Sequence, residues 1–181
     1  DDKNALSTGT AINHMSFEYS AESYRASDCF TSIQGKNQWS YLQSGGSAPA
    51  ENLVFQDPDW KSTDGHGCKI GYFQMIPGGA DAIRRWQAPH SGLIRMEGTV
   101  TSTGTGDAGV KAAILVNGKT VWPQQLLKAG QQATPDLQYK VTTGDQVDFV
   151  VSRGSTTAGD GAEWDPVVTY VEDDSASPAN K

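Results

Sequence analysis

The chain has 181 residues, a formal net charge of -7 and 36% hydrophobic residues, which with 20 glycines is a globular composition rather than a disordered one. The acidic balance and scattered Lys and Arg argue against nucleic acid and anionic membranes, both of which reward clustered positive charge. No apolar run approaches the roughly 18 residues of a membrane helix.

The start, DDKNALSTGT, has neither the basic nor the apolar stretch of a signal peptide, which suits a mature or excised segment as well as a cytosolic protein. Residues 1–20 read as an N-terminal extension or linker, with a short strand or helical turn near Met15–Tyr19. Residues 21–172 read as one domain, and 173–181, acidic and then Ser/Ala/Pro-rich, as a C-terminal linker.

Within that domain, helical periodicity is nearly absent. Short alternating runs separated by turn signals predict an all-β fold: an antiparallel, jelly-roll-like β-sandwich of about nine strands. Strands are expected around 28–33, 39–42, 67–73, 81–88, 92–101 and 164–171. The clearest pattern is GVKAAILVNGKTVW, where Val110, Ala112, Ile114 and Val116 share one face. Asn117–Gly118 then supplies the positive φ angles of a tight hairpin. In LQYKVTTGDQVDFVVSRG, a Thr-Gly-Asp turn separates two strands, the second placing Val147, Phe149 and Val151 on one face. Along DAIRRWQ, Ile83 is expected to face the core and to turn Arg84 and Trp86 outward. Arg85, on the side of Ile83, is expected to bridge a carboxylate.

No nucleophile elbow, phosphate loop, dinucleotide fingerprint or His-Glu-x-x-His motif is present. Glu163 and Asp165 in EWDP share one side of a strand, as a glycosidase pair would require. The simpler reading gives Asp165 a hydrogen bond to a turn. Asp57, Asp59 and Asp64 in QDPDWKSTDG form a candidate structural calcium loop, with turn-forming aspartates as the alternative. Cys29 and Cys68 could form a disulfide closing a loop of about 40 residues, worth about 4 kcal/mol, or stand as two separate buried thiols. Five tryptophans in a chain of this size leave room for an exposed platform that stacks on a sugar ring, although any one Trp more often packs in a core.

Four stretches in order, DCFTSIQGKNQWSYL, GADAIRRWQAPHSGLIRMEGTV, ILVNGKTVWP and AEWDPVVTYV, resemble a bacterial non-catalytic carbohydrate-binding β-sandwich module of secreted polysaccharide-degrading enzymes. The resemblance runs from about Asp28 to Val171 and departs at residues 43–66. It implies a secreted monomer covalently linked to a catalytic domain, with a polysaccharide as ligand, no required cofactor and no catalysis of its own. Trp86, which belongs to the shared pattern, is assigned to packing and Arg84 to the ligand. The stacking candidates are Trp60, Tyr72, Trp122 and Trp164. A small polysaccharide lyase or glycosidase and a structural spacer of a surface protein are the competing functions.

Overall fold

The computed structural model describes residues 21–45, 49–105, 108–155 and 160–173. The expectations for 1–20, and for 173–181 beyond Asp173, lie outside the described residues. The chain is an antiparallel β-sandwich: every strand pair among the described residues is antiparallel, and the only helical element is one 3₁₀ turn, Lys36–Gln38.

One layer is a six-stranded sheet in the order Lys119–Leu127, Val110–Val116, Gln146–Arg153, Asp81–Gln87, Trp39–Ser44, Glu51–Asn52. The opposing layer consists of two further sheets. A four-stranded one runs Ser23–Arg25, Val167–Val171, Gly92–Glu97, Asp136–Val141. A seven-stranded ribbon of short strands includes Val100–Ser102, Ala162–Trp164, Gln74–Ile76, Lys69–Ile70 and Asp59–Lys61 as neighbours in that order.

The runs expected at 92–101 and 164–171 are each split between these two sheets. Gly98, at φ 124°, breaks the first, and Asp165–Pro166 breaks the second directly beside it. A Cβ on Gly98 would lie 2.8 Å from the Asp165 carbonyl oxygen, so only glycine allows the two bends to meet. The Asp165 carboxylate fixes the same corner by accepting hydrogen bonds from Ser27 N and Ser27 Oγ, both at 2.8 Å. That is the structural role anticipated for it.

The hairpin at Asn117–Gly118 forms as expected, with φ of 49° and 78°. The turn at Thr142–Asp145 is closed by Asp145 N donating to Thr142 O at 3.0 Å. The expected strand at 28–33 is instead a turn. Cys29 N donates to Arg25 O and Phe30 N to Ser27 O, both at 3.1 Å, so local bonds replace a sheet ladder.

Between the layers, Trp39, Trp86, Phe149 and Trp164 are fully buried. Phe149 meets Trp164 edge-on at 5.4 Å, while Trp86 packs on Tyr24 at 5.5 Å and Tyr170 at 6.0 Å. The inner face of the six-stranded sheet therefore rests on both sheets of the opposing layer.

At one end, His90 stacks on Tyr170 at 4.0 Å and its Nε2 lies 2.7 Å from Glu22 Oε2, which tethers the segment leading into Ser23–Arg25. Hydrogen bonds from Tyr24 and His90 lower the Glu22 pKa, and the bond to Glu22 raises that of His90. A raised histidine pKa stabilises the fold below its unfolded value, and this stabilisation is lost as pH rises through the folded one. The lowered Glu22 pKa sets the acid limit in the opposite sense. We expect urea unfolding midpoints to show a small downward step as pH rises through the His90 titration, and the step to be absent in His90→Gln.

Candidate functional site

Two adjacent aromatic residues cannot both face inward on a strand of period two. In IGYFQM the conflict is resolved by a turn: Gly71 N donates to Gln74 O at 2.9 Å, and Tyr72 and Phe73 form its tip. Their side chains stay 48% and 47% exposed, with ring centres 4.6 Å apart in an edge-to-face arrangement. Phe30 packs edge-on against Tyr72 at 5.8 Å and against Tyr41 at 5.2 Å, and Tyr41 stacks on Trp60 at 5.0 Å. The exposed pair is thus the surface end of an aromatic file that begins in the core.

Arg84 holds this turn from inside. Its Nη2 donates to Gly71 O at 2.8 Å and to Tyr72 O at 3.0 Å, while Trp164 N donates to Phe73 O at 3.0 Å. Three consecutive carbonyls are therefore held by donors of the sandwich. Arg84 is fully buried, and burial pulls its pKa down to about 10, still charged at neutral pH.

This corrects the sequence assignment of Arg84 to the ligand. Arg84 and Trp86 both face inward, because Ile83 is covered on the outer face instead. Trp60 and Trp164 are corrected as well. Trp60 is 3% exposed and donates through Nε1 to Thr31 O at 3.1 Å; Trp164 is 0% exposed and donates to Gly98 O at 3.0 Å. Neither has a ring face to offer a ligand. Trp122 is half-buried and packs on Trp164 at 6.2 Å. Of the five ligand candidates, Tyr72 alone has its side chain at the exposed tip. Phe73 and Phe30 were missed by sequence reasoning, although the Gly-aromatic-aromatic run in IGYFQM carried the signal.

On the outer face of the six-stranded sheet lies a groove of about 450 Å³. Ile83, Ala113, Leu115 and Val150 contribute its apolar surface. Arg85 and Asp148 form a two-pronged ion pair there, Nε to Oδ1 at 2.7 Å and Nη2 to Oδ2 at 2.8 Å, so the carboxylate expected beside Arg85 is Asp148. The side chains of Asp81, Thr120, Gln124 and Ser152 also line the groove and make no hydrogen bond among the described residues.

Asp57, Asp59 and Asp64 do not assemble a calcium site. Asp59 lies 3.6 Å from Lys69 Nζ, and Asp64 accepts bonds from Gln43 Nε2 and from His66 N. Among the described residues no three His, Cys, Asp or Glu side chains are placed to hold a metal ion. Cys29 and Cys68 are free thiols rather than a disulfide, and Cys68 Sγ donates to Ala80 O at 2.9 Å. Burial pushes both thiol pKa values up, which suppresses thiolate chemistry.

No protein-family model matches the chain, and no curated protein matches it. Among solved structures it is similar to CBM51 from Clostridium perfringens GH95 in complex with methyl-galactose, at 10% identity over 82% of this chain and 100% of that one, with a TM-score of 0.43. It is also similar to TmCBM61 in complex with β-1,4-galactotriose, at 17% identity over 74% and 88% and a TM-score of 0.41. Pika GITRL is similar at 13% identity over 74% and 97%, with a TM-score of 0.37.

Proposed function

We propose that the chain is a non-catalytic carbohydrate-binding module, secreted as a monomeric unit of a longer polysaccharide-degrading enzyme. It would hold the linked catalytic domain against its polysaccharide and raise the local concentration of substrate. The observation that carries this reading is the Tyr72–Phe73 tip: two half-exposed rings on a turn anchored to the core. A pyranose presents apolar C–H faces that suit a fixed aromatic ring, and pre-ordering the ring lowers the entropy lost on binding.

The outer groove provides a second contact. Asp81, Thr120, Gln124 and Ser152 offer unused hydrogen-bonding groups to sugar hydroxyls beside an apolar surface. The net charge of -7 favours an uncharged glycan. Removing both groove side chains in Thr120→Ala/Gln124→Ala is expected to weaken binding by about fivefold to 150-fold, given about 0.5–1.5 kcal/mol for each of two net hydrogen bonds. Isothermal titration with the bound polysaccharide reads that change.

A pull-down with insoluble xylan, cellulose and galactan, followed by a reducing-end assay of the supernatant, tests the whole reading. The protein is expected in a pellet with no new reducing ends. Released ends, or absorbance from an unsaturated uronate in a parallel alginate digest, would make it a glycosidase or a lyase. A protein that stays in every supernatant would favour a spacer.

A further inference from the structure

We infer that Arg84 is the positioning residue of the aromatic tip, acting from inside the core to set the outward direction of Tyr72 and Phe73; its bearing on glycan binding rests on the function proposed above. The strand that carries it, Asp81–Gln87, is central in the six-stranded sheet, with Arg84 in register between Tyr41 and Phe149. The turn it grips, Gly71–Gln74, belongs to the opposite layer. Arg84 is therefore a tie across the sandwich, from its rigid middle to the exposed tip.

The geometry of the turn makes this tie directional. Two consecutive carbonyls, of Gly71 and Tyr72, share one guanidinium nitrogen, and the next, of Phe73, is held by Trp164 N. With those oxygens drawn toward the sandwich, the rings between them are left to project outward. Gly71 is fitted closely on its other side, because a Cβ there would meet Asp59 Oδ1 at 2.7 Å. The turn has little freedom to rotate while Arg84 is in place.

A closed hairpin does not by itself require a buried cation. Gly71 N to Gln74 O already joins the two strands. Among the described residues Arg84 Nε and Nη1 have no hydrogen-bond partner, so the buried charge is only partly compensated there. An apolar side chain of similar length would avoid this cost, and replacing buried charges with well-packed apolar groups is often neutral or stabilising. What an apolar side chain could not do is hold the two carbonyls. Stability and tip order should therefore separate on substitution, as they would not if Arg84 served the scaffold alone.

The test uses the whole chain labelled with 3-fluorotyrosine, whose six tyrosines give separate fluorine resonances, with Tyr72 assigned through Tyr72→Phe. In Arg84→Met the urea midpoint is expected within about 0.5 M of the native one. The Tyr72 resonance should move toward that of free fluorotyrosine while those of Tyr139 and Tyr170 stay in place. Arg84→Lys, which keeps a cation and some donors, should give an intermediate shift, and it carries the test if Arg84→Met does not fold. A Tyr72 resonance unchanged in a folded variant would overturn the inference, as would a common shift of all six. On gels containing xylan, galactan or xanthan, adding Arg84→Met to Tyr72→Ala/Phe73→Ala should cause no further loss of retardation, whereas adding it to the native chain should. If Tyr72→Ala leaves retardation intact, the sugar-stacking reading falls while the fluorine result for Arg84 stands.

Discussion

Trp164→Ala is expected to lower stability by about 4 kcal/mol, a large share of the roughly 5–15 kcal/mol that holds a typical domain folded. The ring is completely buried, edge-on to Phe149 at 5.4 Å and against Trp122 at 6.2 Å. Its loss leaves a cavity between the layers and strips Gly98 O of the donor at 3.0 Å, at the point where two strands change sheets. In urea the midpoint should fall by roughly 2 M, for a slope of about 2 kcal/mol/M. Binding of a polysaccharide by the fraction that remains folded should persist. Unchanged stability with lost binding would place the ring at the surface and contradict the fold described above.

Tyr72→Ala should do the opposite. The side chain is about half-exposed, so stability should change by no more than about 0.5 kcal/mol. A ring face of about 80 Å² covered by a sugar is worth about 2 kcal/mol, or roughly thirtyfold in Kd. Tyr72→Phe keeps the face and should lose much less. Isothermal titration of the three proteins with one polysaccharide reads the difference, while urea unfolding of the same samples checks that the fold is intact. Equal affinities for the native protein and Tyr72→Ala would remove the tip from the binding surface.

These two residues show where a single sequence informs and where it does not. Alternation at Val110–Val116, the positive-φ pair Asn117–Gly118 and the turn before Gln146–Arg153 are local signals, and local signals predict the sandwich. The split of strands at Gly98 and Asp165 is a contact between distant residues, and no period reveals it. Burial of aromatics is non-local in the same way: Trp60 and Trp164 are covered by partners distant in the chain, whereas Tyr72 sits at the tip of a turn closed locally by Gly71 N and Gln74 O. The reversal at Arg84 has a plainer cause. Ile83 is buried on the outer face at the floor of the groove although it points away from the core, so an apolar residue at that position was no sign of direction.

Affinity gel electrophoresis of the native chain tests whether the folded module binds a polysaccharide without shortening it. Gels would contain hydroxyethylcellulose, xylan, galactan, alginate or xanthan, each run with and without a chelator. Retardation by at least one neutral polysaccharide is expected, and its loss on adding the chelator would show that a bound cation takes part. Migration unchanged in every gel would contradict polysaccharide binding.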